Sequence, residues 1–321
     1  MKRIIRFNPT ALAVSFAAVM CSTSALALDC EEGFRPFKHG MGENCIPLHP
    51  QRIATTRGDR IATPLLDIGA PLVGSGFRTD QGEAYLRGAS DIFGEDFIKA
   101  AGVASVGDSN EPDIEAMAAL SPDLIMLPGW QTNLYEPMSR IAPTIIIQDN
   151  LPFLEHLKMI SDAAGMSDVY QDRLTNYKTK IANIRDQIGD PAKISLSRFE
   201  LLNGTLGYYP NWGAVDQVIS DIGFSRPKIQ AEATKNITLS LERIQDFDAD
   251  IILASYAPRF GQTIVSYKKY WDKTAPFWRN LQGIKSGNLY WFERDVWVGY
   301  TFKSLDIVAN SLLLLSVGRF D

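Results

Sequence analysis

Ten side chains stand where chemistry toward a bound molecule would be done. They are Arg57, Arg78 and Trp130 in the first half of the chain, and Tyr208, Tyr209, Trp212, Tyr256, Arg259, Trp297 and Tyr300 in the second. Each comes after a segment that reads as a β-strand, and ligands of open α/β sheets sit outside the carboxyl ends of the strands. Arginine offers a planar fork that makes paired, charge-assisted bonds to carboxylate or phenolate oxygens. Aromatic faces cover an organic scaffold. The set therefore suits capture of a bulky anion. For Tyr209 and Trp212 a place in the core is the alternative reading, and Arg60 and Arg226 read as solvated surface charges.

The residues that would turn capture into catalysis are missing from the pattern. The sequence has no Gly-x-Ser-x-Gly elbow, no His beside a candidate nucleophile and no phosphate-cradling glycine loop. Gly74-Ser75-Gly76 lacks the third glycine of a dinucleotide site. The histidines are His39, His49 and His156; two fall in the leader and one in a helical stretch, without zinc spacing, so no metal site and no resident cofactor are expected.

The elements that must position the ten side chains alternate. Residues 52–55, 71–74, 104–106, 123–127 and 144–147 read as strands, and residues 61–68 and 113–120 as helices. Alternation of this kind predicts parallel βαβ units. Residues 152–188 carry no strand signal. They read as helix over 153–164 and 169–188, with Gly165 between, and Tyr170, Leu174, Tyr177, Ile181, Ile184 and Ile188 recur at helical spacing. The alternation then resumes. A strand lies within 193–202, helices follow over 215–222 and 239–247, strands over 250–254 and 287–292, and a helix closes the chain over 301–317. Residues 115–127 and 242–254 echo one another as helix, turn, Asp and apolar strand. Two related α/β lobes with central, mainly parallel sheets, joined by one long α-helix, are the expected fold. The expected divisions are a signal peptide (1–27), a stapled leader (28–49), a first lobe (50–150), the linking helix (151–190) and a second lobe (191–321).

The 321 residues are 45% hydrophobic and 21% charged, enough for two modest cores. The formal charge of −5, with no basic stripe, argues against nucleic acid as partner. Lys2, Arg3 and Arg6, an apolar run over residues 11–20 and Ala25-Leu26-Ala27 read as a secretory signal cleaved after Ala27. Its loss would leave the chain near −8, the −5 of the full chain less three positive charges. Cys21 follows Met20 rather than a small residue, so it reads as part of the discarded peptide. Cys30 and Cys45 then remain in an oxidising compartment and most simply pair.

Several further segments carry a resemblance. They are Pro50-Gln51-Arg52-Ile53-Ala54, then Glu111-Pro112-Asp113-Ile114-Glu115 with Ser121-Pro122-Asp123-Leu124-Ile125, then Arg140-Ile141-Ala142-Pro143, and finally Phe277-Trp278 running to Gly287-Asn288-Leu289-Tyr290. In this order, around a linking helix, they resemble the helical-backbone class of periplasmic binding proteins over nearly all of residues 50–321. Val296-Trp297 and Gly129-Trp130 are most similar to the ferric-siderophore binders of that class, the ferric-hydroxamate and ferric-citrate-binding proteins. Ser109 departs from the arginine those proteins carry just before their Glu-Pro. The resemblance implies a monomeric periplasmic protein that captures a ferric siderophore between its lobes. It also implies delivery to an ABC permease, with Glu115 and Glu242 as one docking carboxylate per lobe. A haem or corrinoid binder of the same fold is the alternative.

Overall fold

The computed structural model describes residues 28–80 and 82–317. The proposed signal segment lies outside the described residues. The chain begins with a hairpin of β1 (Phe34–His39) and β2 (Gly42–Pro47), stapled by the Cys30–Cys45 disulfide with Cα atoms 5.6 Å apart. The hairpin covers the edge of the first sheet. Gly40 N–H donates to Ile146 O at 3.1 Å, and Ile146 N–H donates to His39 Nδ1 at 3.2 Å, so the outer strand's backbone is not left bare.

The first lobe contains β3 (Ile53–Thr55), β4 (Leu72–Asp80), β5 (Glu83–Tyr85), β6 (Ala104–Asp108), β7 (Leu124–Pro128) and β8 (Thr144–Ile147). Its parallel order is β6-β4-β3-β7-β8, and β5 turns back antiparallel on the far end of β4. Every residue of β7 and β8 is buried, as expected of parallel strands covered on both faces.

Residues 153–188 form two helices, Phe153–Ala163 and Ser167–Ile188. The second runs for 22 residues, about 33 Å at 1.5 Å per residue. Tyr170, Tyr177, Ile181 and Ile184 form its buried face and pack into the same core as the C-terminal helix Phe302–Val317.

The second lobe holds β9 (Leu196–Arg198), β10 (Glu200–Leu202), β11 (Thr205–Tyr208), β12 (Ile237–Leu239), β13 (Ile251–Tyr256) and β14 (Leu289–Glu293). A parallel sheet β14-β13-β9 sits beside an antiparallel meander β10-β11-β12. The meander corrects the sequence reading. Leu239 closes a strand over Ile237–Leu239 rather than opening a helix, and Leu241–Phe247 is a 3-10 helix. Its apolar residues bury Ile244 and Phe247 beneath the meander, a pattern a short 3-10 segment shares with an α-helix.

Candidate functional site: an arginine and aromatic cleft

The first-lobe wall starts where β3 ends. Thr55 and Thr56 are fully buried, and the Thr56 hydroxyl bonds the Gln131 side chain. Gln131 Nε2 donates in turn to Ser109 O at 2.9 Å. This buried chain of bonds fixes the Gly129–Gln131 turn and leaves Trp130 outside it, 46% exposed, with the Arg57 guanidinium 5.9 Å from its ring centre. Arg57 Nε meets Asp59 Oδ1 at 2.5 Å.

Residues Gly58–Ala62 form a single π-helical turn, closed by Thr63 N–H donating to Gly58 O. Turns of this kind carry one extra residue and recur at functional sites. Arg60 lies within it and is held from two directions. His156 Nε2 bonds the Arg60 carbonyl at 2.6 Å. Because a carbonyl can only accept, Nε2 carries the proton. Burial pushes His156 down to about 4, so the ring is neutral near pH 7. At the other end, the Arg60 guanidinium donates to Tyr300 Oη at 2.9 Å and sits 4.3 Å from that ring's centre. Tyr300 stacks on Phe153 with centroids 4.9 Å apart.

The second-lobe wall is built over a buried charge. Arg198, at the end of β9, is fully buried. It makes a two-pronged pair with Asp216, which also accepts from Arg226 at 2.7 Å and from the Trp212 N–H at 2.7 Å. The Tyr208 and Trp212 rings lie 4.8 and 4.9 Å from the Arg198 guanidinium. Burial works to raise the Asp216 carboxyl, but Arg198 and Arg226 outweigh it and hold the group below the usual carboxylate range. Gly213, at φ +66°, lets the Trp212 loop close on Val298; a Cβ there would lie 2.0 Å from Val298 O.

Between the walls run two cavities, about 760 and 220 Å³, which share Arg60, Trp212 and Tyr300. The larger adds Asp149, Phe153, Tyr209 and Asn236; the smaller adds Arg57, Asp59, Arg87 and Asp295. Ion pairs span the lobes beside them. Arg87 bridges Asp59 of its own lobe at 3.7 Å and Asp295 of the other at 3.4 Å, and Arg259 reaches Asp91 at 3.1 Å and Glu95 at 3.3 Å.

Of the ten side chains singled out in the sequence, Arg57, Tyr209, Trp212 and Tyr300 line these cavities, and Trp130 adjoins them through Arg57. The others stand elsewhere. Among the described residues, the Arg78 guanidinium donates to Asn110 Oδ1, at 3.4 Å. Tyr208 is buried beneath Arg198, Tyr256 is half-buried at the end of β13, and Trp297 stacks on Phe292 at 4.8 Å. Arg259 is engaged between the lobes and over the Tyr85 ring at 4.1 Å. Two readings are corrected. Arg60 is a cleft residue rather than a solvated one, because the π-turn and His156 hold it there. Arg226 is largely buried against Asp216. Arg198, Asp216 and Asp149 are not singled out by the sequence, and His156 is read there only as a histidine on the helix without zinc spacing. A charged residue inside the strand run Leu196–Arg198 and another inside the apolar helix Gly213–Ile222 were the available signals, since buried charges come paired.

Glu115 is exposed in the first turn of the helix Ile114–Ala119, and Glu242 is exposed on Leu241–Phe247, where it accepts from the Ser240 hydroxyl at 3.0 Å. No group of three or more His, Cys, Asp or Glu among the described residues is placed to hold a metal ion, and no helix among them is long and apolar enough to cross a membrane.

Comparison with known proteins bears on the fold and the family. The chain is 27% identical over 276 residues to the probable siderophore-binding lipoprotein YfiY of Bacillus subtilis, covering 82% of this chain and 81% of that one. Its fold matches the FhuD protein of S. pseudintermedius with a TM-score of 0.68 at 23% identity, covering 89% of this chain and 99% of that one. It also matches SirA of Staphylococcus aureus, solved with staphyloferrin B, with a TM-score of 0.69 at 22% identity over 88% and 98% of the two chains. The family model described as periplasmic binding protein matches residues 89–291, from the first lobe through β14, and the chain belongs to that family of binding proteins.

Proposed function

We propose that this protein captures a ferric siderophore in the cleft and delivers it to an ABC permease. The observation that carries the reading is the wall shared by both cavities, where Arg60, Trp212 and Tyr300 set one guanidinium of the first lobe among aromatic faces of the second. A guanidinium supplies directed bonds to chelating oxygens, and the rings cover the organic body. The siderophore-binding relative in Bacillus subtilis and the structural neighbour holding staphyloferrin B support it. The amino-terminal segment fits export to the periplasm with cleavage after Ala27, and an intact mass of the exported protein starting at Leu28 is the expected result.

Capture is tested by titrating intrinsic fluorescence with a panel of ferric siderophores. The chain has 6 Trp, and Trp130 and Trp212 stand at the cleft, so a bound chelate should quench strongly. Quenching by haem or a corrinoid and by none of the iron chelates would overturn the reading. Delivery rests on Glu115 and Glu242. Reversing both to Lys should leave siderophore affinity intact and sharply reduce uptake by the reconstituted importer. Normal uptake by that double variant would move the docking surface elsewhere.

A further inference from the structure

The residues lining the two cavities carry three guanidinium groups and four carboxylates. Most of these charges are already answered within the chain. Arg57 is held by Asp59, Arg87 by Asp59 and Asp295, and Asp216 by the buried Arg198 and the largely buried Arg226. Arg294, behind the smaller cavity, is also on Asp295, at 3.2 Å. Two charges remain unmatched among the described residues. Arg60 bonds only a phenol and presents its guanidinium at the junction of the cavities. Asp149 is exposed in the larger cavity with no cationic partner.

From this balance we infer that the cleft selects iron chelates of low net charge, of the hydroxamate class, with Arg60 as the residue that meets the chelating oxygens, and discriminates against polyanionic chelates. The inference rests on the reading of the cleft as a siderophore site and narrows it. A polyanion would have to recruit Arg57 and Arg87 away from Asp59 and Asp295, leaving Asp59 half-buried and unpaired and Asp295 with Arg294 alone, and it would face Asp149 directly. A near-neutral chelate needs neither change. Its hydroxamate oxygens accept from Arg60, while the Trp212 and Tyr300 faces cover its carbon scaffold. Arg60 suits a selecting role because its placement does not depend on the ligand. His156 fixes its carbonyl from below, and Tyr300 fixes its guanidinium from the other lobe.

The test is fluorescence titration of the full-length mature protein with ferrioxamine B, a trihydroxamate, and ferric enterobactin, a polyanionic tricatecholate. Ferrioxamine B should bind about a hundredfold more tightly. Arg60→Gln should weaken ferrioxamine B about tenfold, the scale of one lost charge-assisted bond. Asp149→Asn, an exposed substitution, should strengthen enterobactin binding by several fold, a larger gain than for the trihydroxamate. Enterobactin binding as tightly as ferrioxamine B, or either variant failing to shift its chelate, overturns the charge selection while the siderophore reading stands. Quenching by neither chelate, nor by any other ferric siderophore, overturns the siderophore reading itself.

Discussion

The two lobes are built on the same frame and finished differently. In the first, β3 pairs with β7 at Ile53 and Leu124, and β7 pairs with β8 at Ile125 and Thr144. In the second, β9 pairs with β13 at Leu196 and Ile251, and β13 pairs with β14 at Ile252 and Leu289. The register is the same, and so is the latch before it. Asp123 accepts from the backbone N–H of Arg52, the residue before β3, and Asp250 accepts from that of Ser195, the residue before β9. The difference comes at the opposite strand ends, which face the cleft. β3 ends in buried threonines and then sends Arg57 out beside an exposed Trp130; β9 ends in Arg198, buried and covered by Tyr208 and Trp212. A repeated frame leaves the strand ends free to diverge. One lobe sends its cation out to the cleft, while the other uses its cation to hold an aromatic cover in place.

The largest expected effect tests that division. Arg198→Met should cost about 3–5 kcal/mol, because it strands Asp216 in the interior with only Arg226 and the Trp212 N–H. Arg57→Met removes a partly solvated pair and should cost no more than about 1 kcal/mol. Urea unfolding of both variants gives the comparison. Equal losses would break it, because Arg198 would then be structurally no more than a surface cation. Adding Asp216→Leu to Arg198→Met should recover much of the loss, since the uncompensated carboxylate goes with it.

Acid should loosen the first-lobe wall before the second. Folded, His156 is neutral down to about 4; unfolded, it takes a proton near 6.5. The unfolded state therefore binds the proton first. The stability from keeping His156 neutral is complete above pH 6.5 and is lost as the pH falls toward 4, by about 3 kcal/mol in all. Asp216 works at lower pH. Its folded carboxyl titrates below 3.8, so its contribution persists above 3.8 and fails only below it. His156→Gln should flatten the fall in urea midpoint between pH 6.5 and 4.5 relative to the parent protein. An unchanged slope would mean that His156 does not hold the Arg60 turn in the way its 2.6 Å bond implies.

The frame was legible in the sequence, and the finish was only partly so. Residues 115–127 and 242–254 echo each other because Leu124 and Ile251 hold matching registers, and an apolar run after an Asp survives as pattern. The linking helices were readable from Tyr170, Tyr177, Ile181 and Ile184, whose spacing is a property of the chain alone. The cleft was harder. Arg57 and Arg60 lie three residues apart, and nothing in their spacing separates a cation paired with Asp59 from one left to a tyrosine 240 residues away. The sorting is done by the π-turn and by His156, contacts that exist only once the chain has closed. The antiparallel meander was hidden for the same kind of reason. β10, β11 and β12 are three or four residues each, too short to show a period before they pair.

The smallest effect concerns the shared latch. If the lobes are equivalent at their strand starts, Asp123→Ala and Asp250→Ala should destabilise to a similar, modest degree. Asp123 accepts from the Gln51 and Arg52 amides at 2.6 and 2.9 Å; Asp250 accepts from the Ser195 amide and hydroxyl at 2.8 and 2.7 Å. Bonds of this kind contribute about 1–2 kcal/mol each way the partner is lost, and these carboxylates sit near solvent, where water replaces part of what is removed. About 1–2 kcal/mol per variant is expected. The two sites lie in different sheets, so the double variant should show the sum. Hydrogen exchange locates the effect. The Arg52 amide should exchange faster in the first variant and the Ser195 amide in the second, each without change in the other lobe. A loss confined to one lobe would show that the matching register there is held by its apolar strands alone, and that the repeated Asp is a latch in one half of the molecule only.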